Sequence, residues 1–146
     1  MMRRAAALLA VGALLMAACA DEGTSTDGEG AGVVLTVFVA DEVAAEWTLE
    51  GLRSEVEFVT LTIDGDEQSG PRVLDVLAAS GVTDWEIAEV LGKGESRSFD
   101  IGIEVRADDV GEGWVFDVTN RGTLKLAAAD LPREQWVRDA GEIRIP

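Results

Sequence analysis

Apolar and polar positions repeat along this chain with two different periods. Residues 33–39 (VVLTVFV) are a β-branched and aromatic run of strand length, apolar on both faces. Residues 57–63 (EFVTLTI) set Val59, Leu61 and Ile63 on one side and Phe58, Thr60 and Thr62 on the other, the period of a strand. Between these two, residues 47–52 (WTLEGL) read as one helical turn, with Thr48 placed to cap it and Leu49 and Leu52 on a shared side. The helical period is clearest at Val73, Leu74, Leu77 and Ala78, which make a single apolar stripe. Ahead of that stripe, residues 64–70 (DGDEQSG) read as a turn-rich loop, with Ser69 or Gly70 as N-cap and Pro71 at the first helical position. Gly81 stands where a helix ends on a residue of positive φ, so the pattern predicts a two-turn helix.

Further along, residues 85–91 (WEIAEVL) fit a strand with Trp85, Ile87 and Leu91 inward, or a short helix. Residues 99–105 (FDIGIEV) alternate strictly, with Phe99, Ile101, Ile103 and Val105 facing one way. Residues 114–118, a turn at Asn120, Arg121 and Gly122, and residues 123–126 read as a hairpin. The last stretch, 135–145, opens with Trp136 and Val137 and closes on the alternating Ile143 and Ile145. Six or seven strands, one firm helix and a turn or two of another are expected. That is a strand-dominated α+β domain over residues 33–146, large enough for one core.

The start of the chain follows another grammar. Arg3 and Arg4 precede an uninterrupted apolar stretch, residues 5–18, that as a helix would reach roughly 21 Å, short of a ~30 Å hydrocarbon core. This is the length of a signal-peptide core rather than of a permanent span. Ala17 and Ala18 lead into Cys19, the sole cysteine of the chain, in an arrangement that resembles the bacterial lipoprotein lipobox. The resemblance implies a signal peptide over residues 1–18, lipidation on the sulfur of Cys19, and a protein anchored to the cell membrane on its outer side, in a periplasm or at the cell surface. Residues 20–32 (ADEGTSTDGEGAG) have no aliphatic side chain beyond Ala, so with Cys19 they read as a flexible acidic tether.

Composition narrows the chemistry. Of 146 residues, 12 are Lys or Arg and 28 are Asp or Glu, a formal charge of -16. Such a surface repels phosphate backbones and speaks against nucleic acid as a partner. With no histidine, Ser-His-Asp and Cys-His catalysis and His-ligated zinc are excluded. A single cysteine excludes an internal disulfide.

Three passages together resemble the sulfite-oxidase molybdopterin-binding family in its small stand-alone bacterial form. They are VVLTVFVADEVAAEWTLEGL, TLTIDGDEQSGPRVLDVLAASGV with Leu74, Asp75 and Leu77 near the family spacing, and RGTLKLAAADLPREQWVRDAGEIRI with Trp136 and Val137 before a terminal strand. The resemblance implies that family's fold, with a β-grasp module of the soluble-ligand-binding or transcobalamin C-terminal type as the alternative. Family members hold molybdenum through a cysteine thiolate and grip the pterin phosphate with His, Arg and Lys. Past Cys19 there is neither cysteine nor histidine, so no cofactor residue carries over and no cofactor is expected. The expectation is a binding or accessory module for a protein or small-molecule ligand rather than an enzyme. The rivals are an envelope hydrolase using carboxylates and a molybdopterin-linked oxidoreductase with atypical ligation.

Other candidate sites are weaker. Asp64, Asp66, Glu67 and Asp75 echo an EF-hand loop, but Ser69 stands where the sharp turn needs Gly and Asp75 where Glu is needed, so a solvated acidic loop is expected. Asp108, Asp109 and Glu112 read as an acidic turn. Arg121 and Lys125, near the hairpin tip, are scarce cations able to contact a partner, although relief of neighbouring Asp117 explains them more simply. Of the tryptophans Trp47, Trp85, Trp114 and Trp136, at least three are expected in the core, with Trp136 the partly exposed one and a possible contact residue. Replacing Cys19 by Ala is expected to move the protein from the membrane fraction to the soluble fraction of fractionated cells; unchanged partitioning would refute the anchor.

Overall fold

The computed structural model describes residues 32–93 and 102–146; the expected signal peptide, Cys19 and nearly all of the expected tether lie outside the described residues, as do Phe99 and Ile101. Strand β1 (Val33–Val39) turns back on β2 (Glu42–Thr48) through Ala40 and Asp41, both at positive φ (49° and 65°), as a two-residue hairpin turn requires. Ala44 is an extra residue on β2, because Val37 pairs with Ala45 and the next residue, Phe38, with Val43. Thr48 then caps α1 (Leu49–Glu55), its hydroxyl accepting from the Gly51 N–H at 3.0 Å, and Leu52 is the buried residue of that helix.

The DGDEQSG segment differs from its expected loop. Asp64 and Gly65 form a tight turn (φ 53° and 86°) between β3 (Phe58–Ile63) and β4 (Asp66–Pro71), which pair in full antiparallel register. Asp-Gly is a strong hairpin signal, and here it outweighs the polar character of the residues after it. Pro71 therefore ends a strand, and neither Ser69 nor Gly70 caps the helix. Arg72 occupies the cap position of α2 (Val73–Ala79) without a side-chain hydrogen bond. The helix ends as expected: Gly81 takes φ 80°, its N–H donates to the Ala78 carbonyl, and the Val82 N–H donates to that of Leu77.

Strand β5 (Ile87–Gly92) turns Ala88 and Val90 to the core and leaves Ile87 and Leu91 half-buried, the reverse of their expected facing, while Trp85, ahead of the strand, is half-buried and packs against the core as expected. Its register against β6 (Gly102–Arg106) sets Val90 beside Ile103 and Ala88 beside Val105, which commits those four residues to one face. A hairpin of β7 (Trp114–Val118) and β8 (Leu124–Ala128) follows, and β9 (Ala140–Ile145) closes the chain.

The main sheet runs β2-β1-β9-β5-β6, with β1 and β9 parallel and the other neighbours antiparallel. Strand β8 joins it at Leu124 opposite Ala140 and carries β7 with it. The β3–β4 hairpin is a second sheet that lies against β7: the Ser69 N–H donates to Asp117 Oδ1 at 2.7 Å, and Arg72 bridges to Val115. The architecture is thus α+β, strand-dominated and mixed. Its core runs from Leu35, Val37 and Ile143 to Leu52, Val76, Leu77, Phe116 and Leu126, with a smaller cluster of Ile63, Val115, Ala127 and Trp136 beneath the second sheet.

Gly70 marks where the two sheets meet most closely, since a Cβ there would overlap the carbonyl of Phe116. Gly70→Ala is expected to cost about 1–3 kcal/mol or more in urea unfolding, through forced displacement of backbone. Gly111→Ala, which meets open space, should stay within about 0.5 kcal/mol of wild type.

Candidate functional site

The register of the main sheet assembles a charged outer face. Phe38, Arg144, Glu89 and Glu104 are successive neighbours across β1, β9, β5 and β6. The Arg144 guanidinium lies 4.4 Å from the centre of the Phe38 ring, its Nε donates to Glu142 Oε2 at 3.0 Å, and Asp41 is 3.5 Å away. A depression of about 510 Å3 opens here, lined by Asp41, Ile87, Glu89, Glu104 and Arg144. A second, of about 400 Å3, is lined by Trp85, Glu86, Ile87, Arg106 and Asp108. Ile87 lines both, so the two adjoin as a groove divided at that side chain, near the end of β5 and β6. Cross-strand pairing of Ile87 with Arg106 puts that arginine beside Trp85. Arg106 is exposed and enters no ion pair among the described residues, unlike Arg144. The groove therefore offers a half-buried indole, an isoleucine, a guanidinium with free donors, and carboxylates on either side.

The residues singled out from sequence do not gather there. Arg121 donates to Asp139 at 2.8 Å with its side chain 71% exposed. Lys125 is 3.1 Å from Asp117, the pairing expected of it, and its ammonium lies 5.7 Å from the Trp136 ring centre. Trp136 is a correction: it is 7% exposed, not a surface residue. After Pro132 a short 3-10 turn (Arg133–Gln135) folds the chain under, and the indole N–H reaches the carbonyls of Ala128 at 3.1 Å and Leu131 at 3.2 Å. With its donor satisfied and Ile63, Val115 and Ala127 around it, the ring belongs to the second core cluster. Trp47 and Trp114 are also buried, which leaves Trp85 as the tryptophan open to solvent.

Arg133 holds the acidic turn that echoed a calcium loop. Its guanidinium donates to Asp66 Oδ2 at 2.7 Å, to Asp64 Oδ2 at 3.4 Å and to the Ile63 carbonyl at 3.3 Å, and sits 5.3 Å from the Trp136 ring centre. The hydrogen bond to Asp66, opposed by desolvation and joined by the charges of Asp66 and Asp64, raises its pKa above the usual arginine value. A raised value keeps the guanidinium charged throughout the neutral range. Asp75 stands apart on α2, 3.9 Å from Arg72. Asp108 and Asp109 lie exposed in a 3-10 turn (Ala107–Asp109), and Glu112 is exposed after it.

A pterin-held molybdenum does not fit this chain. Its thiolate ligand has no counterpart among the described residues, and Arg121, Lys125, Arg133 and Arg144 are each engaged by separate carboxylates rather than converging on an anion. Compared with known proteins, the chain matches no protein-family model and no curated protein sequence.

The shared lining by Trp85 and Arg106 was not legible in the sequence because it depends on the register that sets Ile87 opposite Arg106. The scarcity of cations was the available signal. Trp136→Ala is expected to lower unfolding stability by about 3–5 kcal/mol, as for a large buried aromatic. Arg121→Ala should cost less than about 1 kcal/mol, as for an exposed ion pair. Both are read by chemical denaturation.

Proposed function

We propose that this chain is a lipid-anchored extracytoplasmic binding module, tethered through Cys19, that takes its ligand in the groove joining Trp85 and Arg106 to Arg144. The observation that carries this is the juxtaposition of Trp85 and Arg106 on one concave wall. A half-buried indole offers a flat apolar face, and an arginine without a carboxylate partner among the described residues offers fixed donors for an acceptor. A glycan of the cell envelope supplies both complements: the CH-bearing face of a sugar ring for Trp85, and hydroxyl or carboxylate oxygens for Arg106. Glu86 and Asp108 accept from further hydroxyls. Catalysis by carboxylates would need two groups in contrasting environments. Glu89 and Glu104, direct neighbours across β5 and β6, are both exposed on the same face.

For the finer fold, the strand order supports the β-grasp reading: an opening hairpin, helices in the crossover, and a last strand parallel to the first between that hairpin and the remaining pair. Hairpins β3–β4 and β7–β8 extend that core. The sulfite-oxidase-like reading draws its support from three passages that lie on β1 to α1, β3 to α2, and β8 to β9. A domain of that kind without ligands for the cofactor is also a binding form, so the two fold readings share one functional conclusion.

The test is sedimentation of the purified full chain with insoluble envelope glycan. Wild type is expected to co-sediment, and Trp85→Ala and Arg106→Ala each to weaken binding at least about tenfold, the cost of removing one stacking or charged contact. Equal binding by both variants, or no binding by wild type, would refute the reading.

A further inference from the structure

A second opening, of about 310 Å3, lies along the other side of β6. Ile103, Glu104 and Val105 all line it, together with Trp114, Asp130 and Leu131. Consecutive strand residues point to opposite faces, so three in a row meet one cleft only along the strand's edge. Among the described residues β6 pairs with β5 alone. The Ala107 N–H donates to the Glu86 carbonyl at 2.9 Å, which sets the phase of the ladder: Val105 and Ile103 bond toward β5. The amide and carbonyl of Glu104 therefore point away from β5, toward the cleft.

The lining has a consistent chemistry. Ile103, Val105, Leu131 and Trp114 supply apolar surface, while Glu104, Asp109 and Asp130 supply carboxylates. None of these three carboxylates takes part in an ion pair among the described residues. Trp114 is 2% exposed, and its indole N–H has no hydrogen-bond partner among the described residues. A buried donor left without an acceptor is uncommon and marks a place where an acceptor is missing.

We infer that the β6 edge is a docking site for an extended cationic peptide segment of another protein, added to the sheet as a further strand. The partner's backbone pairs with the outward groups of Glu104, and its Lys or Arg side chains meet Glu104, Asp109 and Asp130. An apolar residue between them covers Ile103 and Leu131, the half-buried apolar residues of the cleft. Charge selects this occupant. The chain's own residues 20–32 carry Asp21, Glu22, Asp27 and Glu29 and no cation, so the cleft repels them. Two copies joined antiparallel through β6 would bring one Glu104 up to the other. A formal charge of -16 instead draws a basic partner toward the cleft.

The cleft shares Glu104 with the depression beside Arg144, so its test rests on Asp109 and Asp130, which line the cleft alone. The full chain, purified in detergent, is titrated by calorimetry with an eight-residue peptide of alternating lysine and valine. Parallel titrations use the same peptide N-methylated at alternate residues, an alternating glutamate–valine peptide, and spermidine. The lysine–valine peptide is expected to bind at least tenfold more tightly than each of the others. Asp109→Lys and Asp130→Lys should each weaken it at least threefold, and Glu57→Lys, on an exposed residue elsewhere, should leave it unchanged. Equal binding of the N-methylated peptide or of spermidine would reduce the effect to bulk charge attraction and overturn strand addition. Failure of the lysine–valine peptide to bind, or insensitivity to both Asp substitutions, would overturn the site itself.

Discussion

The parallel pairing of β1 with β9 is the constraint on which the other elements depend. It places Val37 beside Ile143, both fully buried, and Val39 beside Ile145, and the Ala40 N–H donates to the Ile145 carbonyl at 2.9 Å. Parallel neighbours need a crossover, and here the crossover is all the chain between them. Hairpin β1–β2 continues the sheet on one side of this pair and β5–β6 on the other, while β8 reaches it through a single bridge. Burial of Leu35, Val37 and Ile143 stabilises this centre by about 1.5–3 kcal/mol for each side chain. Because the two strands come from opposite ends of the domain, their pairing is a long-range contact that closes nearly the whole domain into one loop.

One face of that centre is apolar and supports the helices and the second hairpin. The opposite face carries the charged side chains of the sheet, Arg144, Glu89 and Glu104 among them. The same register that buries Val37 and Ile143 exposes Phe38 and Arg144 as a stacked pair, and the pairing of Ala88 with Val105 sends Ile87 and Arg106 outward together. The buried core and the proposed binding face are thus two sides of one pattern of alternation. Acidity shapes both: Arg133 ties the β3–β4 turn to the segment ahead of β9, and Lys125 pairs with Asp117, so these cations serve the fold, whereas Arg106 lies in a concave wall and enters no ion pair among the described residues.

Where local chemistry decides structure, the sequence was informative. Val33–Val39, the Thr48 cap, the Gly81 helix end and the β7–β8 hairpin all stand as their residues indicate. Where two local signals competed, reading them one residue at a time failed. The polar DEQSG run looked like a loop, yet the Asp64-Gly65 turn and the close approach of Gly70 to Phe116 make it a strand. Ala40 and Asp41 turn a segment with no obvious strand pattern into β2, an edge guarded by Glu42 and Glu46. The groove was illegible because side-chain neighbours across strands depend on long-range register, and one residue of slip exchanges the faces. Trp136 illustrates the same limit: the short turn after Pro132 and two carbonyl acceptors bury a ring that its polar neighbours suggested was exposed.

Native-state amide exchange of the full chain tests the central role of the β1–β9 pair most directly. If that pair holds the domain together, the amides of Val37, Val39, Ile143 and Ile145 exchange only through global unfolding, with a free energy equal to that from denaturant. Those of the β3–β4 hairpin exchange through smaller openings. Protection of the β3–β4 hairpin at the global limit, with β9 opening at a fraction of that free energy, would contradict the account.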